Sequence, residues 1–383
     1  MGDVMNIFGQ ELSERELRRR TGDIAAVGGL RRMRLQDDVG AGIELVEVRT
    51  AAGLSFDVLL SRAFDIGRFE YRGVPIGWRS GTGFRHPGLH EFADEGGMSW
   101  LRSFDGLLVT AGLDHTLFTT EADASHFHYP HRKTTWNGLH GRIGNIPGRL
   151  TRASEEWTEQ GCTLVVEGET RQAAVFGEHL VLHRRIEADL DGSELRLIDR
   201  VVNRGFSRTP HMYLYHLNFG WPLVDAGTRL VAPITGTRWQ SESASVQGVP
   251  YDVLPEPRPD LVEQVYEHEL EASEDGTLGV ALLNEQRGLG VEVRWDATAF
   301  PHFFEWLHLR EGAYAVGLEP SSNHVEGSLP AREAGELRWL EQGESVEYRT
   351  SIRVLEGAVA LRSAEDRIRA GHGRPEEGLN AAR

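Results

Sequence analysis

Short apolar and polar runs alternate along the chain from about residue 31 to residue 355, separated by glycine, proline or Asp-Gly turns. The alternation is strictest at 291–296 and 346–354, where every second residue is apolar or uncharged and the residues between are mostly charged. Because successive side chains of a strand point to opposite faces, this pattern predicts antiparallel sheets with one buried face. No long helical periodicity separates the strands, which disfavours a parallel βαβ fold. We therefore predict an all-β fold, a large antiparallel β-sandwich.

The two ends of the chain depart from this pattern. Residues 11–20 are predicted to form a short helix, because Ser13 and Glu16 have capping-box spacing and Gly22 follows the expected end. The residues after Ser363 are rich in charge, glycine and alanine and are predicted to be a mobile tail. The predicted divisions are an N-terminal helical extension at 1–30, a β-sandwich at 31–355 and a polar C-terminal tail at 356–383.

Composition narrows the classes of partner and compartment. The chain has 383 residues, is 40% hydrophobic and carries a formal net charge of −17, which makes nucleic acid or an anionic membrane an unfavourable partner. The single cysteine, Cys162, excludes an internal disulfide and a cysteine-rich metal site. The sequence shows no signal peptide and no apolar run of about 20 residues. We expect a cytoplasmic protein, and a homodimer remains open.

The stretch 209–225 combines aromatic and hydrogen-bonding residues in one predicted strand. Alternation puts His216 and Asn218 on one face and Tyr213, Tyr215 and Phe219 on the other. A sugar site needs hydrogen-bonding groups for hydroxyls beside flat apolar groups for the ring. The alternative is a core strand in which His216 and Asn218 satisfy neighbouring backbone groups.

Three further polar residues interrupt apolar runs. Arg62 and Asp65 lie in the run 61–67, where they could bind hydroxyl groups or form an internal ion pair. His115 ends the small, apolar run 106–116, which could be a pocket wall or a tightly packed core strand. Neither alternative is decided by the sequence.

Two residues have surroundings that favour a functional role more strongly. His140 stands between Gly138 and Gly141, and a histidine in such a loop is an unusual core residue. Glu319 follows an apolar run and precedes Pro320, at a predicted strand end. Partial burial there would raise the pKa of the carboxyl group and suit it to act as a base, whereas a salt-bridged edge glutamate is the ordinary alternative.

Two groups of residues allow other interpretations. His126, His128 and His131 have spacing that can hold a divalent metal ion, although such pairs also occur by chance in a chain with 16 histidines. Trp306, in the aromatic run 301–308, could stack on a sugar ring at the rim of a cleft or pack in the core.

The stretches around His140, His216 and Glu319 resemble, in the same order, the three motifs of the aldose 1-epimerase (galactose mutarotase) family. The blocks LHGRIGNIPG, FGEHLVLHRRIE, LYHLNFGWPL and VGLEPSSN are similar to those of an uncharacterised bacterial branch of that superfamily, over about residues 10–355. The resemblance implies a galactose-mutarotase-like β-sandwich with an open sugar cleft and no cofactor. It departs from the family around each histidine, after Glu319 and at a binding aspartate, which has no clear match.

The resemblance also implies roles for individual residues. His216 would be the general acid at the ring oxygen, Glu319 the general base at O1, and His140 and Arg62 hydroxyl ligands. Interconversion of anomers needs one base and one acid and no nucleophile, since the ring opens, the C1–C2 bond rotates and the ring closes again. We expect His216 and Glu319 on opposite sides of one concavity, about a pyranose ring apart. The expected substrate-binding residues are His140, Arg62, Asp65, Asn218, His115 and Trp306.

The leading hypothesis is therefore a cofactor-free sugar epimerase acting on a small carbohydrate at its anomeric carbon. One alternative is a carbohydrate-binding protein that has the same fold and no turnover. The other is a metal-dependent isomerase or lyase that uses His126, His128 and His131. The sequence does not indicate which sugar is bound.

Overall fold

The computed structural model of the protein describes residues 4–159 and 161–370. Strands dominate the described residues. The first twelve strands are β1 (Met5–Ile7), β2 (Gln10–Leu12), β3 (Gly29–Arg34), β4 (Glu44–Arg49), β5 (Leu54–Leu59), β6 (Asp65–Tyr71), β7 (Val74–Pro75), β8 (Leu108–Leu113), β9 (Thr120–Asp123), β10 (Thr134–Asn137), β11 (Arg149–Thr158) and β12 (Gly161–Ala173). The remaining strands are β13 (His179–Asp189), β14 (Glu194–Asn203), β15 (Thr209–Gly220), β16 (Arg229–Val231), β17 (Ile234–Gln240), β18 (Gln264–Leu270), β19 (Thr277–Asn284), β20 (Leu289–Asp296), β21 (His302–His308), β22 (Ala315–Ser321), β23 (Arg338–Leu340) and β24 (Ser345–Glu356).

Helices are short and lie mostly between strands or at the ends of the described chain. The α-helices are α1 (Glu14–Arg18), α2 (Glu242–Gln247), α3 (Ser328–Glu333) and α4 (Gly357–Ala370). The 3-10 turns are Ile24–Ala26, Asp38–Gly40, Pro87–Leu89, Asp94–Gly97, Ser99–Ser103 and Ile143–Asn145. Within 4–159 and 161–370, no helix has the length and apolar character needed to cross a membrane.

Two antiparallel sheets form the body of the protein, which confirms the predicted fold class. One sheet has the order β17-β18-β21-β22-β15-β8-β6-β5-β4-β3, with β7 and β23 paired at its margins. The other has the order β11-β12-β13-β14-β24-β20-β19-β16. We call them the site sheet and the opposite sheet, respectively. Each has one face against a shared core, so the fold is a β-sandwich.

The alternation in the sequence matches the side chains that fill the core. Val291, Val293 and Trp295 of β20 are buried in the main hydrophobic cluster, as the pattern predicts. On β15, Tyr213 and Tyr215 point into the same cluster, so that His216 and Asn218 take the other face of the site sheet. Fully burying a large apolar side chain stabilises a fold by about 1.5–3 kcal/mol, which fixes the register of these strands.

A buried polar network joins the two sheets inside this core. Arg184 of β13 binds both carboxylate oxygens of Asp199 on β14, at 2.9 and 2.7 Å. The hydroxyl groups of Tyr213 and Tyr215, on β15 of the site sheet, both donate to Asp199 Oδ2. Burial alone would lower the pKa of Arg184, but Asp199 raises it well above its ordinary value, so the guanidinium stays charged.

The N-terminal segment is part of the same body. Helix α1 begins after Ser13, which forms the predicted capping box with Glu16, and it ends at Arg18, two residues earlier than predicted. Met5 of β1 and Leu17 of α1 are buried in the main cluster, and β3 already begins at Gly29. Residues 4–30, the described part of the predicted extension, therefore pack onto the sandwich core.

The prediction of a polar tail at 356–383 is wrong for its first part. Helix α4 spans Gly357–Ala370 and packs Leu361, Ala364 and Ile368 against Val231 and Leu283 of the opposite sheet. The three helix residues follow helical spacing, but the charged residues between them hide that spacing in the sequence. Residues 371–383 lie outside the described part of the chain.

Candidate active site

His216 and Glu319 meet on the outward face of the site sheet. Strands β15 and β22 are hydrogen-bonded neighbours, with Leu217 opposite Leu318, so the two outward side chains project side by side. His216 Nε2 lies 3.1 Å from Glu319 Oε1. The expectation that a pyranose ring separates them, with one group on each side, is therefore wrong. The two groups are in direct contact and together form one side of the candidate site.

Burial controls the charge of this pair. Both side chains are only 4% exposed. Burial lowers the pKa of His216 well below its ordinary value, and His140 adds to the effect. Burial raises the pKa of Glu319 well above its ordinary value, helped by the nearby carboxylate of Glu263. Both directions favour the uncharged form, a protonated Glu319 and a neutral His216, whereas the roles that the resemblance implies start from an ionised Glu319.

The absence of a side chain at Gly317 makes room for the pair. A Cβ atom there would lie 3.0 Å from Glu319 Oε1, 3.0 Å from His216 Cε1 and 3.1 Å from Trp306 Cβ. These distances are tighter than ordinary contacts, so a larger residue would push His216 and Glu319 apart. Sequence reasoning missed this role because Gly317 lies in an ordinary apolar run.

Four aromatic rings cover the pair. The ring centroids of Phe104, Trp306 and Trp100 lie 4.7, 5.2 and 5.9 Å from that of His216. Trp78 contacts both Phe104 and Trp306 at 5.2 and 5.8 Å. We call these four residues, Trp78, Trp100, Phe104 and Trp306, the aromatic cover. The open cleft that the resemblance implies is closed by this cover.

Three of the four rings come from residues 76–107, the long connection between β7 and β8. Sequence reasoning found Trp306 but missed Trp78, Trp100 and Phe104, because no periodicity links that connection to the strands. Trp306 also donates from Nε1 to Glu263, an exposed residue, so this ring extends from the buried pair to the surface. The cover therefore combines a fixed ring on β21 with rings on a connecting segment.

Arg62 holds that connecting segment against the sandwich. Its guanidinium donates to the carbonyl oxygens of Ser103 and Gly144, at 2.7 and 3.3 Å. Burial lowers the pKa of Arg62, and its Nη1 has no hydrogen-bond partner among the described residues. The structure thus assigns Arg62 a contact with the turn that carries Trp100, and its contact with a sugar hydroxyl group stays a prediction.

His140 lies beside the pair, in a loop that only glycine neighbours permit. Its ring centroid is 4.5 Å from that of Trp100 and 5.8 Å from that of His216. At Gly141, with φ +73°, a Cβ atom would lie 2.4 Å from the carbonyl oxygens of Gly112 and His115. Burial lowers the pKa of His140 to about 3, so its imidazole is neutral and can donate or accept a hydrogen bond.

Asn218 and His115 have different surroundings. Asn218, next to His216 along the same face, donates to the carbonyl oxygens of Gly106 and His216, and its side chain also contacts that of His216. His115 has Nε2 2.8 Å from the carbonyl oxygen of Phe118 and Nδ1 3.4 Å from the Ser328 hydroxyl group. Both ring nitrogens of His115 therefore contact other groups of the protein and help to hold its loop. The prediction that His115 binds the substrate is wrong.

Asp65 belongs to the polar network inside the sandwich. Its Oδ1 accepts from the backbone and hydroxyl groups of Thr110 and lies 3.3 Å from Arg184 Nη1. Thr110 pairs with Tyr215, whose side chain points into the core. Asp65 is thus on the inner side of the site sheet, and its prediction as a substrate ligand is wrong. Asp65 does form an internal ion pair, but with Arg184 and not with Arg62, the partner that the sequence offered within the same run.

The three histidines of residues 126–131 lie in the loop between β9 and β10, not on a strand face. His126 packs edge-on against Trp339, whereas His128 and His131 are exposed. They do not converge as metal ligands. Among the described residues a different group, Glu267, His302 and His324, brings three ligand-type atoms within 4.8 Å of one another.

The fold is a β-sandwich of the galactose-mutarotase-like type. The chain belongs to the family described as a domain of unknown function, DUF4432, whose model matches residues 40–354. A comparison with curated proteins gave no match.

Solved structures share the fold. A Klebsiella pneumoniae protein provisionally named aldose 1-epimerase is 19% identical, with a TM-score of 0.79 and coverage of 92% of this chain and 91% of its own. A galactose mutarotase-like protein from Clostridium acetobutylicum is 12% identical, with a TM-score of 0.59 and coverage of 86% and 99%. An Escherichia coli protein provisionally named aldose 1-epimerase is 16% identical, with a TM-score of 0.54 and coverage of 82% and 100%. At these identities the likeness concerns the fold.

Proposed function

We propose that the protein is a cofactor-free carbohydrate epimerase that interconverts the anomers of a free sugar. The observation that carries the proposal is the buried contact of 3.1 Å between His216 Nε2 and Glu319 Oε1. Anomerisation needs a group that accepts a proton and a group that donates one, and such a pair supplies both. The names of structurally similar proteins, aldose 1-epimerase and galactose mutarotase-like protein, support the same reaction class.

The direct contact fits the chemistry because the two reacting oxygens share one carbon atom. In ring opening, one member of the pair accepts the O1 proton, the C1–O1 bond becomes a carbonyl and the C1–O5 bond breaks. O5 then takes the proton that the other member donates. Closure after rotation about C1–C2 runs the same steps backwards, so the pair ends with the one proton it began with. With the proton on Glu319 at the start, Glu319 is the donor to O5 and His216 accepts from O1.

The surroundings of the pair support a sugar as the ligand. His140 Nδ1 is buried and has no hydrogen-bond partner among the described residues, and the side chains of His216 and Asn218 contact each other on this side of the site. Unpartnered buried polar atoms are costly, and hydroxyl groups of a sugar would satisfy them. The aromatic cover supplies the flat apolar surfaces on which the C–H faces of a pyranose pack.

Entry of a sugar requires movement of the cover, since Trp100 and Phe104 are only 4% and 6% exposed. These two rings lie on the long connection 76–107, whereas Trp306 lies on a central strand. We therefore assign the movement to the connection, which closes over the sugar and excludes water from the reacting edge.

The test is the rate of anomer exchange, followed by polarimetry or nuclear magnetic resonance over a panel of aldoses. For an accepted sugar, Glu319→Gln should lower kcat/KM by at least about 100-fold, because the amide cannot transfer a proton. Its affinity for the sugar, measured by calorimetry, should stay within a few-fold of wild type, because the shape is kept. Glu311→Gln, at an exposed position, is the matched control and should keep full activity.

Two outcomes would contradict the proposal. If no aldose of the panel is anomerised faster than in buffer alone, the epimerase function is wrong for those sugars. If a sugar binds but wild type and Glu319→Gln leave its anomer exchange equally slow, the protein is a carbohydrate-binding protein on this fold. In both cases His216 and Glu319 would be buried polar groups without a catalytic role.

A further inference from the structure

A second polar cluster lies on the same face of the site sheet, apart from the acid–base pair. Glu267 of β18 pairs with Phe304 of β21, which in turn pairs with Glu319 of β22, so the two glutamates share one row of the sheet. Two strand spacings put their backbones roughly 10 Å apart. Phe304 lies between them in an apolar cluster with Leu214 and Val325. The region around Glu267 is therefore a separate site.

Three side chains from different elements converge there. Glu267 lies within β18, His302 begins β21, and His324 follows β22. His302 Nδ1 is 3.7 Å from Glu267 Oε1, and His324 Nδ1 is hydrogen-bonded to the same oxygen. The two imidazole rings lie close together, with centroids 3.8 Å apart. Two imidazole nitrogens thus lie close to one carboxylate oxygen.

The second carboxylate oxygen is held by other groups. Glu267 Oε2 accepts from the backbone nitrogen of Val325 at 3.2 Å and from Arg238 Nη1 at 3.1 Å. Oε1 is left to face the imidazoles. Outer partners of this kind orient a metal-binding carboxylate, because they fix which oxygen is presented to the ion.

The charge balance favours a cation. Arg238 is positive, but it also pairs with Glu326 at 2.9 Å, so that one carboxylate offsets its charge. Arg238, already shared with Glu326, therefore does not fully cancel the charge of the Glu267 carboxylate.

We propose that Glu267, His302 and His324 form a binding site for a divalent first-row transition metal ion of the zinc type. Two imidazoles and one carboxylate are a donor set that Zn²⁺ takes, whereas Ca²⁺ and Mg²⁺ prefer oxygen alone. The three ligand-type atoms lie within 4.8 Å of one another, and zinc bonds of about 2.0–2.2 Å require donors roughly 3–3.5 Å apart. A small rearrangement of the imidazoles meets that requirement.

The site has room for a further ligand from solvent. Glu267 is only 2% exposed, but the side chains of His302 and His324 are 21% and 25% exposed. The ion would be anchored from the sheet and open on the imidazole side. It would connect β18, β21 and the segment after β22, three parts of the chain far apart in sequence. Because Phe304 separates it from Glu319, the ion takes no part in the proposed proton transfer.

The experiment is a calorimetric titration of chelator-treated full-length protein with Zn²⁺, with Mg²⁺ and Ca²⁺ as comparisons. Wild type should bind one Zn²⁺ per chain and neither of the harder ions at similar concentration. His302→Ala and His324→Ala should each weaken Zn²⁺ binding by at least about 100-fold. His128→Ala, at an exposed position, is the matched control and should bind as wild type does.

A second measurement distinguishes loss of the metal site from loss of the fold. The thermal midpoint of each metal-free variant shows whether it is folded, and added Zn²⁺ should raise that midpoint for wild type and His128→Ala alone. No stoichiometric Zn²⁺ binding by wild type, or equal binding by folded His302→Ala, would overturn the proposal. Loss of Zn²⁺ binding in His128→Ala would move the site to the loop of residues 126–131. Glu319→Gln should keep Zn²⁺ binding whether or not it has lost anomerisation, so this site and the proposed function fail independently.

Discussion

At the scale of single residues, the neutral state of His140 makes stability depend on pH. Burial lowers the pKa of this imidazole to about 3 from an ordinary value of 6.5. Between those values the unfolded chain binds a proton that the folded protein does not. The stabilising contribution is therefore fully present above pH 6.5 and is lost as the pH falls through that window, by about 1.4 kcal/mol per pH unit.

His140→Gln should remove this dependence. The free energy of unfolding of the variant, from urea titrations at a series of pH values between 7.5 and about 4, should fall less steeply below pH 6.5 than that of wild type. The difference between the two proteins should be constant above pH 7 and shrink in acid. Parallel curves over the whole range would mean that His140 is accessible to protons in the folded state.

The same residues show how far sequence reasoning reaches at this scale. The glycines around His140 mark it as a loop residue close to backbone, and the carbonyl groups packed against Gly141 explain them. Arg62 and Asp65 stand three positions apart in one apolar run, yet one contacts the segment beneath the cover and the other lies in the core network. The neighbouring sequence does not show which of the two positions each side chain takes, because each depends on a partner more than 40 residues away.

At the scale of elements, the loop of His140 depends on Gly141. Gly141→Ala adds a Cβ atom 2.4 Å from two carbonyl oxygens, in a backbone conformation with φ +73°. We expect a loss of at least about 2 kcal/mol in the free energy of unfolding. Gly276→Ala is the matched control, because its φ is +78° and no atom lies within 4 Å of the added Cβ. Equal losses in the two variants would show that backbone conformation, not the close contact, requires glycine at 141.

Helix α4 gives a second prediction for an element. Ile368 is 5% exposed and packs in the cluster with Leu283 and Leu355, whereas Val359 of the same helix is 71% exposed. Ile368→Ala should lower the free energy of unfolding by about 2 kcal/mol or more, and Val359→Ala by well under 1 kcal/mol. Chemical denaturation of both variants measures the difference. Similar small effects would mean that α4 detaches from the sheet in solution.

Some strands could be predicted from the sequence, whereas one helix and one long connection could not, for physical reasons. Strands such as β20 and β24 were predictable because one face is buried and the other wet, which imposes a period of two. Helix α4 buries only a narrow stripe of apolar side chains within a highly charged segment. The charged composition therefore predicted a polar tail and hid the helical periodicity. The connection 76–107 shows no hydrophobic periodicity. Its aromatic rings are positioned by contacts with Trp306 and His216, which are distant in sequence.

At the scale of the whole molecule, the sequence predicted the sandwich but not the order of its strands. β14 pairs with β24, which brings Glu194 opposite Arg353, and β15 pairs with β8 and β22 from distant parts of the chain. Strands that are far apart in sequence pair because the pairing buries one face of each sheet. A short stretch of sequence does not contain that information. The meeting of His216 with Glu319 is one consequence of this order.

The polar network between the sheets is the feature that most directly links the core to the candidate site. Arg184 and Asp199 belong to the opposite sheet, while Tyr213 and Tyr215 belong to β15, the strand that carries His216. Asp199→Asn keeps the shape but leaves the fully buried Arg184 guanidinium without its main carboxylate. We expect a loss of about 3–5 kcal/mol in the free energy of unfolding, measured by chemical denaturation.

The matched control is an ion pair of the same kind at the surface. Arg349 and Glu347 are 62% and 46% exposed, so Glu347→Ala should cost less than about 1 kcal/mol. If Asp199→Asn costs no more than this control, Arg184 finds another partner, and Asp65, which already lies 3.3 Å from Arg184 Nη1, is the nearest carboxylate. The double variant with Asp65→Asn would then restore the large loss. Because β15 holds both the tyrosines of the network and His216, folded Asp199→Asn should also anomerise an accepted sugar more slowly than wild type.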